Sequence, residues 1–114
     1  MAKLFQTRGR VLAAIALAAL CAIPAPAWAA ASKRERALQE FEKAEKLRAA
    51  LARQHATKQD FQRVIDAYRR VYYTSPTSVK ADPSVTAVAE LLAEVGHAFQ
   101  DEKALRDAIG QYEF

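Results

Sequence analysis

Few residues in this chain have the types and spacing that chemistry requires. The two histidines, His55 and His97, do not fall in the H-E-x-x-H spacing or in a similar metal-binding pattern. Ser75, Thr77 and Ser78 surround a proline turn, where hydroxyl groups hydrogen-bond to the local backbone, and no base accompanies them. The three glycines are too far apart to form a phosphate-binding loop. We therefore expect no catalytic residue, no metal ion and no cofactor in the folded part of the chain.

Binding of another protein is the chemistry that the side chains favour. Tyr73 lies off the apolar stripe of a helical segment, beside Arg69 and Arg70. Tyrosine and arginine are enriched where protein interfaces form. The alternative is that Tyr73 lies across the neighbouring helix hairpin and has only a structural role. We take Arg69, Arg70 and Tyr73 as the candidate partner-binding residues.

The first 29 residues have the three-part layout of a secretory signal peptide. A basic start is followed by an unbroken apolar run of 13 residues, Val11 to Ile23, and then by the cleavage signal Ala27-Trp28-Ala29. At 1.5 Å per residue this run covers about 20 Å, less than the roughly 30 Å hydrocarbon core of a membrane. We expect cleavage after Ala29, a mature domain of residues 30–114, and no stable membrane span after cleavage.

Cys21 is the only cysteine, and it lies inside the predicted signal peptide. A lipid anchor at Cys21 would need cleavage just before it, where lipoprotein signals have Gly or Ala, but this chain has Leu20. We therefore do not expect lipidation. The mature chain would then contain no thiol and no disulfide, so that helix packing alone must hold its fold.

Removal of the signal peptide also changes the charge. Residues 1–29 contain three of the 17 basic residues and none of the 13 acidic ones, so the net charge falls from +4 to +1. Nucleic acid is therefore not an expected partner, because phosphate binding needs a clustered basic surface. The remaining charge is uneven, at +5 over residues 33–70 and −4 over residues 80–114. Solvated helix faces explain this, and head-to-tail stacking or an acidic ligand is the alternative.

Two amphipathic helices are predicted in the first half of the mature chain. Ser32 and Thr57 are each followed three residues later by an acidic residue, which is the pattern of a capping box at a helix start. The first helix should run from about Lys33 to Gln54, and the second should end near Thr74. The stripe positions recur every three or four residues; they are Leu38, Phe41, Ala44, Leu47, Leu51, Phe61, Val64, Ile65, Tyr68, Val71 and Tyr72.

Two further helices are predicted in the second half. Asp82 followed by Pro83 should start the third helix, since aspartate caps well and proline suits the first helical position. Asp101 should cap the fourth. The apolar stripe of the third helix consists of Val85, Val88, Leu91, Leu92, Val95 and Phe99. That of the fourth consists of Ala104, Leu105, Ala108, Ile109 and Tyr112. No period-two pattern of a strand occurs, so the sequence predicts an all-α fold.

The apolar pattern repeats after a shift of 44 residues. The shift pairs Leu47 with Leu91 and Tyr68 with Tyr112, and most other pairs agree in residue class rather than identity. A repeat of this length is typical of stacked helix pairs.

Residues 60–78 resemble the second helix and exit turn of a tetratricopeptide repeat. Val64 stands at the small-residue contact, Tyr68 at the aromatic contact, Val71 three residues later, and Pro76 closes the unit. The early tryptophan of the family is missing, and the period is 44 residues rather than about 34. Helical repeats of the HEAT type are the nearest alternative.

The resemblance implies two stacked antiparallel helix hairpins whose groove, lined by the first helix of each hairpin, presents itself to a peptide or protein segment. With the export signal, the chain is similar to bacterial envelope repeat proteins. We expect a periplasmic or secreted scaffold that is not catalytic.

The chain also resembles the repeat module that precedes the catalytic domain in some N-acetylmuramoyl-L-alanine amidases. The alternative function is therefore the non-catalytic N-terminal part of such a peptidoglycan-cleaving enzyme. The last apolar stripe reaches Phe114 with no residue that closes a helix, so we expect the repeat domain to continue beyond it.

Overall fold

The structure, a computed structural model, describes residues 25–113, and there it consists of four helices. These are α1 (Ala25–Leu51), α2 (Lys58–Thr74), α3 (Ala81–Ala98) and α4 (Glu102–Glu113). No strand occurs among the described residues, so the predicted all-α class is confirmed. The predicted signal peptide is described only from Ala25 onward, and Cys21 lies outside the described residues.

Helix α1 begins well before its predicted start. Ser32 lies inside the helix, so the prediction that it caps the helix is wrong. The reason is that alanines dominate residues 25–31, and alanine is the best helix former, so the helix extends toward the N-terminus. In the uncut chain, α1 therefore passes through Ala29, the residue after which cleavage is expected. The helix ends at Leu51 rather than at Gln54.

Helices α2 and α4 begin where the sequence predicted. The Asp60 backbone N–H donates to Thr57 Oγ1 at 3.2 Å, and the Thr57 N–H donates to Asp60 Oδ2 at 2.9 Å, which forms the predicted capping box. The Thr57 N–H holds the pKa of the Asp60 carboxyl below its usual value. Asp101 caps α4 by accepting the Ala104 N–H at 3.2 Å, and the Lys58 ammonium, 3.0 Å away, lowers the pKa of the Asp101 carboxyl.

Helix α3 begins one residue before Asp82, so the predicted Asp82 cap is wrong. Lys80 takes the N-cap position, and its side chain makes no capping hydrogen bond. The preceding turn continues directly into the helix, because the Ala81 N–H donates to the Ser78 carbonyl at 3.0 Å. The Ser84 hydroxyl then donates to the Lys80 carbonyl at 2.7 Å. These bonds fix the start of α3 without a side-chain cap.

The turn between α3 and α4 requires a left-handed residue. Gln100 has a φ of 51°, and the Asp101 N–H donates to the Gly96 carbonyl at 3.0 Å. This bond is the six-to-one bond of a Schellman motif, which satisfies a carbonyl at the end of α3. The motif delivers the chain directly to Asp101, so that α4 starts at once.

The core lies where α2 and α3 pack together. Each helix contacts its neighbour in the chain, α1 with α2, α2 with α3 and α3 with α4, so that α2 and α3 each have partners on two sides. The predicted stripes of these inner helices are largely buried. The largest fully buried side chains are Tyr68, Ile65, Leu91, Val64, Val71 and Val88.

The outer helices bury only part of their predicted stripes. Leu38 and Leu47 of α1 and Ile109 and Tyr112 of α4 are substantially exposed. Tyr112 is 63% exposed, whereas Tyr68, its partner in the 44-residue repeat, is fully buried. The difference follows from position, because α2 lies between two helices and α4 packs closely with only α3 among the described residues.

Candidate functional site

The candidate site is a groove that α1 forms with α3, with α2 at its base. One part of the groove has a volume of about 390 Å³, and we call it the carboxylate hollow. Its lining contains three charged side chains between apolar ones. The lining residues are Glu45, Arg48, Ala49, Leu51 and Ala52 from α1 and its end, Phe61 from α2, and Leu91 and Glu94 from α3.

The core holds Glu45 in place on one wall of the carboxylate hollow. The fully buried Tyr68 donates its hydroxyl proton to Glu45 Oε1 at 2.8 Å. The Phe41 ring meets Tyr68 edge to face, with the ring centroids 6.0 Å apart. A tyrosine in the apolar stripe of α2 therefore orients a carboxylate on α1.

Arg48 links the two helices that face each other across the groove. Its Nη2 lies 2.8 Å from Glu90 Oε2 and 3.9 Å from Glu94 Oε1, so the α1 side chain reaches two successive turns of α3. Partial burial acts to lower the pKa of the Arg48 guanidinium, but the hydrogen bond to Glu90 and the nearby Tyr68 hydroxyl outweigh it and raise that pKa. Arg48 is therefore positively charged at every physiological pH.

Ionisation of Tyr68 should weaken the fold at alkaline pH. Burial, together with the hydrogen bond to Glu45, raises the pKa of the Tyr68 hydroxyl from 10.0 to about 12. As the pH rises from about 10 to about 12, the tyrosine of the unfolded chain ionises first, so stability that is complete below pH 10 is progressively lost. We expect wild type to lose more stability across this range than Tyr68→Phe, measured by urea denaturation at each pH. Parallel pH profiles of the two proteins would contradict this.

A second, more apolar hollow continues the groove toward the N-terminal part of α1. This apolar hollow has a volume of about 370 Å³ and shares Glu45 with the carboxylate hollow. The Lys80 Nζ lies 4.9 Å from the centroid of the Phe41 ring, at a cation–π distance. The lining residues of the apolar hollow are Leu38, Phe41, Glu42, Glu45, Lys46 and Lys80.

The structure brings the sequence-predicted residues together, but outside the groove. Arg69, Arg70 and Tyr73 form one surface, the outer α2 patch, where Tyr73 is 72% exposed. Its ring packs edge to face on Tyr72, with the centroids 4.9 Å apart. Phe61 marks the side of α2 that faces the carboxylate hollow. Arg70 follows Phe61 by nine residues, about two and a half helical turns, and therefore lies on the side of α2 opposite to the hollow. The outer α2 patch lines neither hollow of the groove, and a role in binding remains a prediction.

The histidines and the hydroxyl residues of the proline turn lie apart from one another. His55 and His97 are exposed, one after α1 and the other in the last turn of α3. Ser78 accepts the Lys80 N–H at 3.2 Å, as expected for a turn hydroxyl. Within residues 25–113, no group of three His, Cys, Asp or Glu side chains is arranged to hold a metal ion. No helix in the same residues is both long and apolar enough to cross a membrane.

The charged residues of the groove were not among the residues predicted from the sequence. Arg48 and Glu90 are 42 residues apart in the chain, and each taken alone has the pattern of a solvated helix surface. The 44-residue shift was the available signal, because it places the α1 turn with Arg48 beside the α3 turn with Glu90 and Glu94.

Comparison with protein-family models, with curated proteins and with solved structures gives no match to this chain.

Proposed function

We propose that this protein is an exported, tetratricopeptide-like scaffold of the bacterial cell envelope that binds an extended segment of another protein in the groove between α1 and α3. The observation that carries this proposal is the groove itself, a concave surface with apolar walls and a few oriented charged groups. Binding sites commonly have this composition. The proposal assigns no catalytic role to residues 30–114.

Contacts between the helices support a repeat of two hairpins. Phe41 contacts Tyr68, while Leu51 and Phe61 share the lining of the carboxylate hollow. The earlier α1 residue thus lies near the later α2 residue, and the later α1 residue lies near the earlier α2 residue. This is the arrangement of an antiparallel hairpin. The helix caps also agree with the 44-residue period of the sequence. Thr57 and Asp101 are 44 residues apart, and each caps the second helix of its unit.

Contacts between the two hairpins also support a stacked repeat. Lys58 pairs with Asp101 at 3.0 Å, and Gln111 donates to the Tyr72 hydroxyl at 3.4 Å, so that residue numbers in α2 and α4 rise together. Arg48 and Glu90 join the other corresponding pair of helices, α1 and α3. Parallel pairing of corresponding helices is what stacking of successive repeats requires. The envelope location rests on the signal-peptide layout of residues 1–29.

Blocking the groove should weaken peptide binding. Ala49 is exposed and lines the carboxylate hollow, so the indole of Ala49→Trp should fill that space. Ala50 is also exposed on α1 but does not line the hollow, which makes Ala50→Trp a matched control. Peptides would be selected on the full chain from a random displayed library, and their affinities measured by fluorescence anisotropy. We expect Ala49→Trp to weaken binding at least about tenfold, equivalent to about 1.4 kcal/mol, and Ala50→Trp to leave it nearly unchanged.

Circular dichroism melting curves would establish that both variants are folded. The proposal fails if no selected peptide is sensitive to Ala49→Trp, or if Ala50→Trp has the same effect. Peptides that ignore Ala49→Trp but are lost with Tyr73→Ala would move the binding site to the outer α2 patch.

A further inference from the structure

The carboxylate hollow has an excess of negative charge. Glu45 and Glu94 line it, Glu90 adjoins it through its bond to Arg48, and Arg48 is the one cation among these four groups. The resulting charge of the four groups is −2. The Glu90 and Glu94 side chains are 46% and 55% exposed, so they remain accessible to a ligand.

The existing contacts leave Glu45 outside any ion pair of the described residues and Glu94 with only a long one. Arg48 lies closest to Glu90, at 2.8 Å, and only at 3.9 Å from Glu94. Glu45 accepts a hydrogen bond from the neutral Tyr68 hydroxyl, which orients the carboxylate without neutralising it. No ion pair within residues 25–113 involves Glu45. A cation placed between Glu45 and Glu94 would therefore meet one carboxylate that is in no ion pair among the described residues and one that is held only by the 3.9 Å contact with Arg48.

The apolar hollow offers a different kind of contact. Leu38 and Phe41 form its apolar surface, and the charged residues around it are Glu42, Lys46 and Lys80 together with the shared Glu45. The two hollows together follow α1 from Leu38 to Ala52, which at 1.5 Å per residue is about 21 Å. An extended chain of about six residues, at about 3.3 Å each, covers that distance.

We propose that the groove recognises an extended peptide segment that carries a lysine or arginine beside Glu45 and Glu94 and a leucine-sized or phenylalanine-sized side chain in the apolar hollow. This inference rests on the proposed function and names the chemistry of its partner. Side chains on one face of an extended strand are two or four residues apart. The basic and apolar residues of the partner should therefore have that spacing.

Synthetic peptides can test this partner class directly. The probes are two fluorescent ten-residue peptides in a glycine-serine background. Lysine and leucine are two positions apart in one and four positions apart in the other. Each has a comparison peptide with glutamate in place of lysine. We expect the full chain to bind the lysine peptide at least about tenfold more tightly than the glutamate peptide. Binding should weaken as salt is added, since the charges are partly exposed.

Charge variants of the protein provide the matched control. Glu94→Lys and the neutral Glu94→Gln both remove a carboxylate from the hollow, and Glu102→Lys makes the same charge reversal at an exposed position on α4. We expect both Glu94 variants to weaken binding of the lysine peptide, with Glu94→Lys losing at least about tenfold, and Glu102→Lys to change affinity less than about twofold. Equal losses for Glu94→Lys and Glu102→Lys would overturn the proposal.

The two proposals fail in different ways. If lysine and glutamate peptides bind equally and Ala49→Trp blocks both, the groove binds peptides but the partner class is wrong. If neither peptide binds while library peptides remain sensitive to Ala49→Trp, the partner class is again wrong and the proposed function stands. If no peptide from either source responds to Ala49→Trp, both proposals are wrong.

Discussion

Leu91→Ala should destabilise the protein by about 2–5 kcal/mol, because it removes a buried side chain and leaves a cavity. Leu91 is only 1% exposed and belongs to the core cluster formed by α2 and α3 with their neighbours. Small domains have a total stability of about 5–15 kcal/mol, so a loss of this size is a large fraction of the whole. Urea denaturation followed by circular dichroism would measure it.

Leu47→Ala is the matched control for this experiment. The 44-residue shift pairs Leu47 with Leu91, and the two residues are identical, yet Leu47 is 44% exposed. We expect Leu47→Ala to cost clearly less than Leu91→Ala, since less apolar surface is lost and water can fill the space. Equal costs would mean that α1 buries its stripe as fully as α3, contrary to the described packing.

Gly96→Val should also destabilise the protein strongly, by about 1–3 kcal/mol or more, because it overpacks the contact between α3 and α4. A Cβ atom at position 96 would overlap Cγ and Cδ2 of Leu105 and lie 3.2 Å from the Asp101 carbonyl oxygen. The overlap involves the branch point of Leu105, so the side chain cannot simply rotate its tip away. Either Leu105 leaves its position or α4 moves. Thermal denaturation of the variant would record the loss.

Gly110→Val separates this steric effect from the general effect of losing a glycine. Gly110 lies in α4, and a Cβ atom there would meet nothing within 4 Å. We expect little change, or a slight gain from the better helix propensity of valine. Leu105→Ala introduced together with Gly96→Val should recover part of the lost stability. A loss from Gly110→Val as large as that from Gly96→Val would contradict the steric explanation.

Features determined by neighbouring residues could be predicted from the sequence. The capping box of Thr57 and Asp60 depends only on residues three positions apart, and it forms as expected. The stripe of α2, including Val64 and Tyr68, is buried because α2 has helices on two sides. Local chemistry and tertiary packing agree in these places.

Two predicted helix starts were wrong because a stronger local effect competed with the cap. At Ser32, the run of alanines before it carries the helix past the capping position. At Asp82, hydrogen bonds of the turn around Ser78 set the start of α3 one residue earlier. Exposure of Ile109 and Tyr112 could not be predicted either, since a stripe does not show how many neighbours its helix has.

The groove was harder to predict than the fold. Its charged residues come from separate helices, and the bond from Tyr68 to Glu45 spans 23 residues of sequence. The sequence gives no local reason to separate these carboxylates from other surface charges. The sequence pointed to Arg69, Arg70 and Tyr73 because they lie close together in the chain. Residues this close share the surface of one helix, whereas the groove is shared by three helices.

Packing of each helix mainly against the next one in the chain has a consequence for how the protein assembles. Contacts between consecutive elements need only short loop closures, and topologies of this kind fold quickly. Within the described residues, α2 and α3 each pack against two helices, whereas α1 and α4 each pack closely against one. We therefore expect α1 and α4 to open locally before α2 and α3, which native-state hydrogen exchange would measure as lower protection in the two outer helices.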